Sequence, residues 1–119
     1  MKQIKFYRKK SGKCPVEEFL DSLQPKHVQK VTWTLRLIEE MDQVPAQYFK
    51  KLKNTDDIWE VRTRMGSHSF RLLGFITGDE FVVLTNGFKK KSQKTPKQEI
   101  ELAERRKANY LARNGGSHE

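Results

Sequence analysis

Three apolar stretches in the middle of the chain constrain its fold most strongly. The first, IWEVRTRM at 58–65, alternates apolar and polar residues with period two, as a strand with one buried face does. The next two, SFRLLGFIT at 69–77 and EFVVLTNGF at 80–88, are apolar on both faces in their centres, which is typical of central strands. Because Gly78 and Asp79 suit a two-residue hairpin turn, the three stretches predict an antiparallel meander.

Helical patterns flank the meander on both sides. CPVEEFLDSL at 14–23 and KHVQKVTWTLRLIEEM at 26–41 repeat apolar residues at helical spacing. A third helix is predicted to begin at TPKQEI, residues 95–100, with Thr95 as its N-terminal cap and Gln98 completing a capping box.

Two shorter segments complete the predicted layout. KQIKFYRK at 2–9 alternates like a half-buried strand, and its basic residues indicate a position near a sheet edge, while YFKKLKNTDD at 48–57 is a short extended piece that closes in a turn. A chain of 119 residues is one domain by size. We therefore predict an α+β fold with a single small antiparallel sheet, mainly a meander, two N-terminal helices and a C-terminal helix. The domain spans 1–114, and a flexible tail follows over 115–119.

The net charge of +9 is unevenly distributed. Residues 1–13 hold six lysines or arginines and no acid, and residues 86–98 hold five lysines and no acid, whereas residues 17–44 hold six acids against three bases. Like charges crowded together repel unless an anion lies against them. The two basic regions therefore predict an anionic macromolecular partner.

Other sequence features limit the compartment and the chemistry. No apolar stretch has the length of a membrane span, and the basic start of the chain is not followed by the apolar core of a signal peptide, so we expect a cytoplasmic protein. The single cysteine, Cys14, and the three histidines do not have the spacing of metal ligands. We expect no metal and no cofactor.

Arginines from two neighbouring strands are predicted to face each other. If the turn MGSHS leaves either two or four residues between the strands, Arg71 lies across from Arg62 or Arg64 on one face of the sheet. Like charges paired across a ladder are destabilising, whereas the planar fork of arginine fits phosphate oxygens. The pattern favours a phosphate site, and the alternative is a solvated face with local ion pairs such as Glu60 with Arg62.

The second hairpin brings the lysine run towards the same face. Pairing Thr77 with Glu80 places Arg71 opposite Asn86, with Phe88 further out on that face. The run of lysines begins immediately afterwards.

Two strings, DIWEVRTRMGSHSFRLLGF and FVVLTNGFKKKSQKTPKQEIELAERR, resemble the HigB-like toxins of the RelE/ParE superfamily. The resemblance is to the phage-related branch, with its W-E-hydrophobic-R strand and its G-F-x-K-K-x-x-K-T-P run, and it covers nearly the whole chain. It implies a RelE-like fold and a toxin of a type II toxin-antitoxin pair. The implied activity is that of a metal-independent, ribosome-dependent endoribonuclease (mRNA interferase) that cuts translated mRNA, and the implied partner is a helix-turn-helix, HigA-like antitoxin.

The resemblance also implies roles for individual residues. Arg62 and Arg71 stand where strand residues contact the scissile phosphate, Lys89 stands where a cation neutralises it, and Arg64 is their neighbour. The tyrosine expected near the start of the last helix is missing, and Thr95 stands at about that place. Proton transfer therefore has no residue assigned by resemblance.

Metal-free RNA cleavage uses the ribose 2′-hydroxyl as nucleophile and needs a base, an acid and cations. Glu60 is the preferred base because it shares a predicted face with Arg62, and a purely orienting salt bridge is the alternative, while His68 titrates near neutral pH but lies at a turn tip. Phe88 is either a base-stacking residue or part of the core. The lysines expected to bind the RNA backbone are Lys51, Lys53, Lys90, Lys91 and Lys94.

Two other functions are compatible with the same fold. A ParE-type relative inhibits DNA gyrase without cleaving RNA, and a non-catalytic RNA-binding module would use the same basic surface. We expect the antitoxin to contact the acidic helices at 17–44, away from the basic site.

Overall fold

Five strands and three α-helices make up the computed structural model, which describes residues 2–78, 80–91 and 94–115. Residues 116–119 of the predicted flexible tail lie outside the described chain. The elements are β1 (Gln3–Phe6), α1 (Pro15–Asp21), α2 (Pro25–Glu40), β2 (Phe49–Lys51), β3 (Trp59–Met65), β4 (His68–Thr77), β5 (Phe81–Lys89) and α3 (Lys97–Tyr110), and a π-helical turn, Leu111–Gly115, follows α3.

The five strands form one sheet in the order β1-β5-β4-β3-β2. Strands β3 to β5 pair antiparallel as a meander, as predicted, and the short strand β2 extends this meander by pairing antiparallel with β3. Strand β1 pairs with β5 in parallel, so the sheet is mixed and the prediction of a purely antiparallel sheet is wrong. Alternation of apolar and polar residues does not encode strand direction, and no hairpin connects β1 to β5 to impose one.

Helices cover both faces of the sheet. Helices α1 and α2 pack on one face, where Val16, Val31 and Ile38 are fully buried together with Val61 and Leu72. Helix α3 packs on the other face through smaller clusters that join Ala103 to Ile58 and Leu73, and Tyr110 to Phe75. Burial of a large apolar side chain contributes about 1.5–3 kcal/mol, so these layers fix the sheet between the helices.

The hairpin between β4 and β5 departs from the predicted register twice. Thr77 pairs with Phe81 instead of Glu80, which shifts the register by one residue. A β-bulge then lies between Leu73 and Gly74, opposite the extra residue Thr85, and shifts it by one more.

The two shifts add up to two residues and therefore preserve the face of every side chain beyond the bulge. Arg71 lies opposite Phe88, not opposite Asn86 as predicted, but all three remain on the predicted face. Helix α3 satisfies the backbone that the bulge exposes, because Arg106 Nη1 donates a hydrogen bond to Thr85 O at 2.8 Å.

Gly74 is required by the close approach of β5 at the bulge. A Cβ atom there would clash with backbone atoms, including Leu84 Cα at 2.9 Å. We expect Gly74→Ala to lower the free energy of unfolding by about 2–3 kcal/mol, measured by urea unfolding with far-UV circular dichroism. At Gly87 the atoms nearest to a Cβ belong to the side chains of Leu72 and Phe19 and not to the backbone, so Gly87→Ala should have a smaller effect. Equal unfolding midpoints for Gly74→Ala and the wild type would contradict this account.

Candidate functional site

The β3–β4 hairpin brings arginine side chains together on the α3 face of the sheet. The turn has two residues, and Gly66 adopts the positive φ of 60° that a tight turn favours. Arg62 is therefore paired directly with Arg71, and Arg64 is paired with Ser69. The predicted facing of the arginines on one side of the sheet is confirmed.

The Glu60 carboxylate lies beneath the arginines and is 2% exposed. Its Oε1 atom is 3.4 Å from Arg62 Nε and 3.6 Å from Arg71 Nε. Its Oε2 atom accepts a hydrogen bond of 2.5 Å from Thr95 Oγ1. Both carboxylate oxygens are thus occupied, and one buried anion compensates two guanidinium groups.

Thr95 does not cap α3, contrary to the sequence prediction. In the described chain α3 begins at Lys97 after Pro96, with no side-chain hydrogen bond at its N-terminal cap. The Thr95 hydroxyl is directed to Glu60 instead. An unpaired oxygen on a buried carboxylate costs more free energy than an unpaired amide at a helix terminus, because that amide can still form a hydrogen bond with water. The Thr95 hydroxyl therefore donates to Glu60 and not to the helix.

Arg71 is the most deeply buried of these cations. Its Nη1 atom donates to Ser69 Oγ at 2.6 Å, whereas its Nε atom has no hydrogen-bond partner among the described residues. Burial lowers the pKa of Arg71, the Glu60 charge opposes this shift, and Arg62 lowers the pKa further. A guanidinium stays protonated under these conditions, so Arg71 holds a largely buried positive charge, with its Nε atom beside Glu60.

Basic and hydroxyl side chains surround a pocket of about 470 Å³ above this ion pair. We call it the arginine pocket. It is lined by Arg62, Arg64, Ser67, Ser69, Arg71, Lys90 and Lys91. Burial lowers the pKa of Lys90, and so does the charge of Arg71, which places the Lys90 ammonium within the field of the arginines.

Lys89 is not part of the arginine pocket, and the prediction that it lies beside the arginines is wrong. It pairs with Phe70 and therefore lies on the opposite face from Arg71. There it is near His27, whose pKa is lowered by burial first and then by His68, Lys26 and Lys89. Side chains alternate along a strand, so the position next to Phe88 must face away, and Lys90 occupies the place expected for Lys89.

The remaining predicted RNA-binding lysines lie outside the arginine pocket. Lys51 forms an ion pair with Asp57 at 2.7 Å, and its pairing with Trp59 places it on the α1–α2 face. Lys53 is exposed in the turn after β2, and Lys94 is exposed before α3.

Phe88 and Lys50 also differ from the sequence interpretation. Phe88 packs half-buried against the cluster of Ile58 and Leu73, which favours its core role over base stacking. Lys50 was not among the sequence candidates, yet it is exposed and paired directly with Glu60, on the face of the arginines. The period of two in β2 would have indicated Lys50 if the pairing of β2 with the W-E-V segment of β3 had been known.

Neither a metal site nor a membrane helix is found in the described part of the chain. No group of three or more histidine, cysteine or acidic residues is arranged to hold a metal ion among residues 2–78, 80–91 and 94–115. None of the helices described is long and apolar enough to cross a membrane. His68 is exposed at the hairpin turn, with its ring 4.7 Å from that of His27, and Cys14 is buried.

Comparison with known proteins identifies the family. Residues 18–108, which include every residue of the arginine pocket, match the family described as Phage derived protein Gp49-like (DUF891). The chain belongs to the Gp49-like family. This is a RelE/HigB-like toxin family, whose members are commonly toxins of toxin-antitoxin systems. No curated protein matches the chain.

In this Gp49-like protein the Glu60 carboxylate should be essential for stability. Glu60→Gln leaves Arg62 and Arg71 without their buried counter-charge, and we expect a loss of about 3 kcal/mol in the free energy of unfolding. Glu101→Gln is the matched control, because Glu101 is half exposed and its contact with Lys97 is 3.9 Å, so its loss should be below about 0.5 kcal/mol. Denaturant unfolding of both variants measures the difference. Equal losses would show that Glu60 does not compensate the arginines.

Proposed function

We propose that this protein is the toxin of a type II toxin-antitoxin system and a metal-independent, ribosome-dependent endoribonuclease (mRNA interferase) that acts on translated mRNA. One observation carries the proposal. The guanidinium groups of Arg62 and Arg71 face each other across the β3–β4 ladder at the floor of a pocket open to solvent. The family to which the chain belongs supports the toxin assignment.

The arginine pocket has the composition of a phosphate site. Five cationic side chains line it, and the Glu60 carboxylate, which contacts Arg62 and Arg71, is buried beneath. Directly opposed like charges on a sheet are destabilising, so such an arrangement is costly for the free protein and becomes favourable when an anion binds. Guanidinium groups bind phosphate oxygens in pairs and cannot lose their protons, which suits a site that must stay positive.

The proposed reaction uses groups of the RNA and of the pocket, with water as the proton acceptor. The ribose 2′-hydroxyl gives its proton to water as its oxygen attacks the adjacent phosphorus, the bond from phosphorus to the 5′-oxygen breaks, and that oxygen takes up a proton. The products are a 2′,3′-cyclic phosphate and a 5′-hydroxyl end. Arg62 and Arg71 stabilise the charge that develops on the phosphate oxygens, where one well-placed donor contributes about 3 kcal/mol. DNA lacks the attacking hydroxyl and is not a substrate.

The contacts of Glu60 support an orienting role and not that of a general base. Both of its oxygens are engaged, and its side chain is 3% exposed, so a ribose hydroxyl has no access to it. Lys90 is the better candidate for proton transfer. It lines the pocket, and burial together with Arg71 lowers the pKa of its ammonium, which makes that group a stronger acid than an exposed lysine. In this proposal Lys90 donates the proton to the leaving 5′-oxygen.

The proposed protein partner is a helix-turn-helix antitoxin of the HigA-like kind. The toxin-antitoxin membership common in this family supports an antitoxin partner. Acidic residues on α1 and at the end of α2 give this partner a surface distinct from the arginine pocket.

Cleavage by the purified protein on programmed ribosomes tests the proposal. We expect mRNA cuts in phase with codons, in the presence of a metal chelator, with cyclic-phosphate ends. Arg71→Lys and Arg62→Gln should lower the cleavage rate about 100-fold or more, whereas Lys10→Gln, which removes an exposed charge outside the pocket, should not change it. Lys90→Arg keeps the charge, but a guanidinium does not donate its proton at neutral pH. The cleavage rate of this variant should fall. The decrease in rate that deprotonation of Lys90 causes at high pH in the wild type should be absent.

Two results would contradict the nuclease. Intact mRNA together with inhibition of gyrase would show a ParE-type toxin. Tight ribosome or RNA binding without cleavage, unaffected by a chelator or by added Mg²⁺, would show a binding module. Circular dichroism of each arginine variant separates loss of activity from loss of fold.

A further inference from the structure

A second cavity adjoins the arginine pocket at the open edge of β3. Strand β2 pairs with β3 only as far as Val61, and Arg62 N then donates to Tyr48 O at 2.8 Å. Beyond this point no described strand pairs with that edge of β3. A cleft of about 400 Å³ occupies the space between this edge and α2, with Lys30 and Tyr48 among its walls. We call it the edge cleft.

The edge cleft is continuous with the arginine pocket. Both cavities are lined by Arg62, Arg64, Ser69 and Arg71. A polynucleotide that places a phosphate on the guanidinium groups can therefore place its next nucleotide directly in the cleft.

One aromatic ring lines the cleft, and a second ring lies next to it. Tyr48 is half-buried in its wall, and Trp33 on α2 is 43% exposed, the one large apolar side chain that is exposed in the described part of the chain. Their ring centroids are 5.8 Å apart in an edge-to-face arrangement, and Lys30 Nζ lies 4.2 Å from the centroid of the Trp33 ring. Ordered, partly exposed aromatic rings beside a basic groove are the elements that bind single-stranded nucleic acid by stacking.

The Thr63 hydroxyl adds a polar group to the same cleft. Thr63 lines the cleft and is 3% exposed, and its Oγ1 atom has no hydrogen-bond partner within the residues described. A buried hydroxyl without a partner is unfavourable, so the wall of the cleft carries an unsatisfied polar group at this position.

We infer that the edge cleft is a subsite for an unpaired nucleobase, which stacks on Tyr48 next to Trp33 while the adjacent phosphate lies on the arginines. The inference rests on the proposed function for its substrate class and names where the neighbouring base binds. A segment of a protein partner is the competing occupant. The nucleotide is favoured because Lys30, Arg62, Arg64 and Arg71 line the cleft, and none of its described lining residues is acidic.

Tryptophan fluorescence provides the test. The chain has two tryptophans, and Trp59 is stacked on Phe49, so Trp59→Phe leaves Trp33 as the only reporter. The probe is a short single-stranded RNA with 2′-O-methyl groups throughout, which cannot be cleaved, and a second probe has one base removed. We expect the intact probe to quench Trp33. Tyr48→Ala should weaken its binding about tenfold, and so should removal of the base.

A thermodynamic cycle decides between base stacking and other contacts. If the base stacks on Tyr48, the two changes combined should weaken binding no further than either change alone. If Tyr48→Ala weakens both probes equally, or neither, the subsite is wrong. If Trp59→Phe does not fold, the same thermodynamic cycle can be measured by the fluorescence anisotropy of a labelled probe that binds to the chain without this substitution.

The outcomes also separate the subsite from the proposed function and from the competing partner. The probe reports binding alone, so a protein without nuclease activity can still show the stacking cycle. An active nuclease without the cycle would retain the proposed function and lose the subsite. If Trp33→Ala left RNA binding unchanged but weakened binding of the purified antitoxin, the aromatic surface would belong to the protein interface and the inference would be overturned.

Discussion

The ion pair between one buried carboxylate and two guanidinium groups is the constraint on which the rest of this site depends. Arg62 and Arg71 repel each other across the ladder, and the negative charge of Glu60 offsets this repulsion. Because Glu60 is also fixed by Thr95, the segment before α3 is tied to the centre of the sheet. The compensation is incomplete, since two cations share one anion, and the surplus positive charge faces the pocket.

The fold positions these groups with two local devices. A two-residue turn at Gly66 sets the β3–β4 register and places the arginines directly opposite each other. The bulge at Thr85 then brings β5 into a register that leaves Lys90 and Lys91 at the rim of the pocket. The backbone exposed by the bulge is satisfied by Arg106, so α3 supports the bulge from the same face as the arginine pocket without lining that pocket.

The parts of the site that follow from strand alternation and short turns could be predicted from the sequence. To predict that Arg62 and Arg71 share a face, it was sufficient to know that side chains alternate along a strand and that the turn has an even number of residues. The direction of β1, the bulge and the partner of Thr95 could not be predicted, because each depends on contacts between segments far apart in the chain. Lys89 was misassigned because the resemblance gave a role to a position without applying the alternation that separates it from Phe88.

Binding of a phosphate by Arg62 and Arg71 together is tested most directly by side-chain NMR. The Nε–H resonances of the arginines can be followed while a non-cleavable dinucleotide with a single phosphate is added. The account predicts that the resonances of Arg62 and Arg71 shift together and saturate at one equivalent. If only exposed side chains such as Lys91 and Arg64 respond while Arg71 stays unchanged, the buried guanidinium is a structural group and the site proposed here does not bind phosphate.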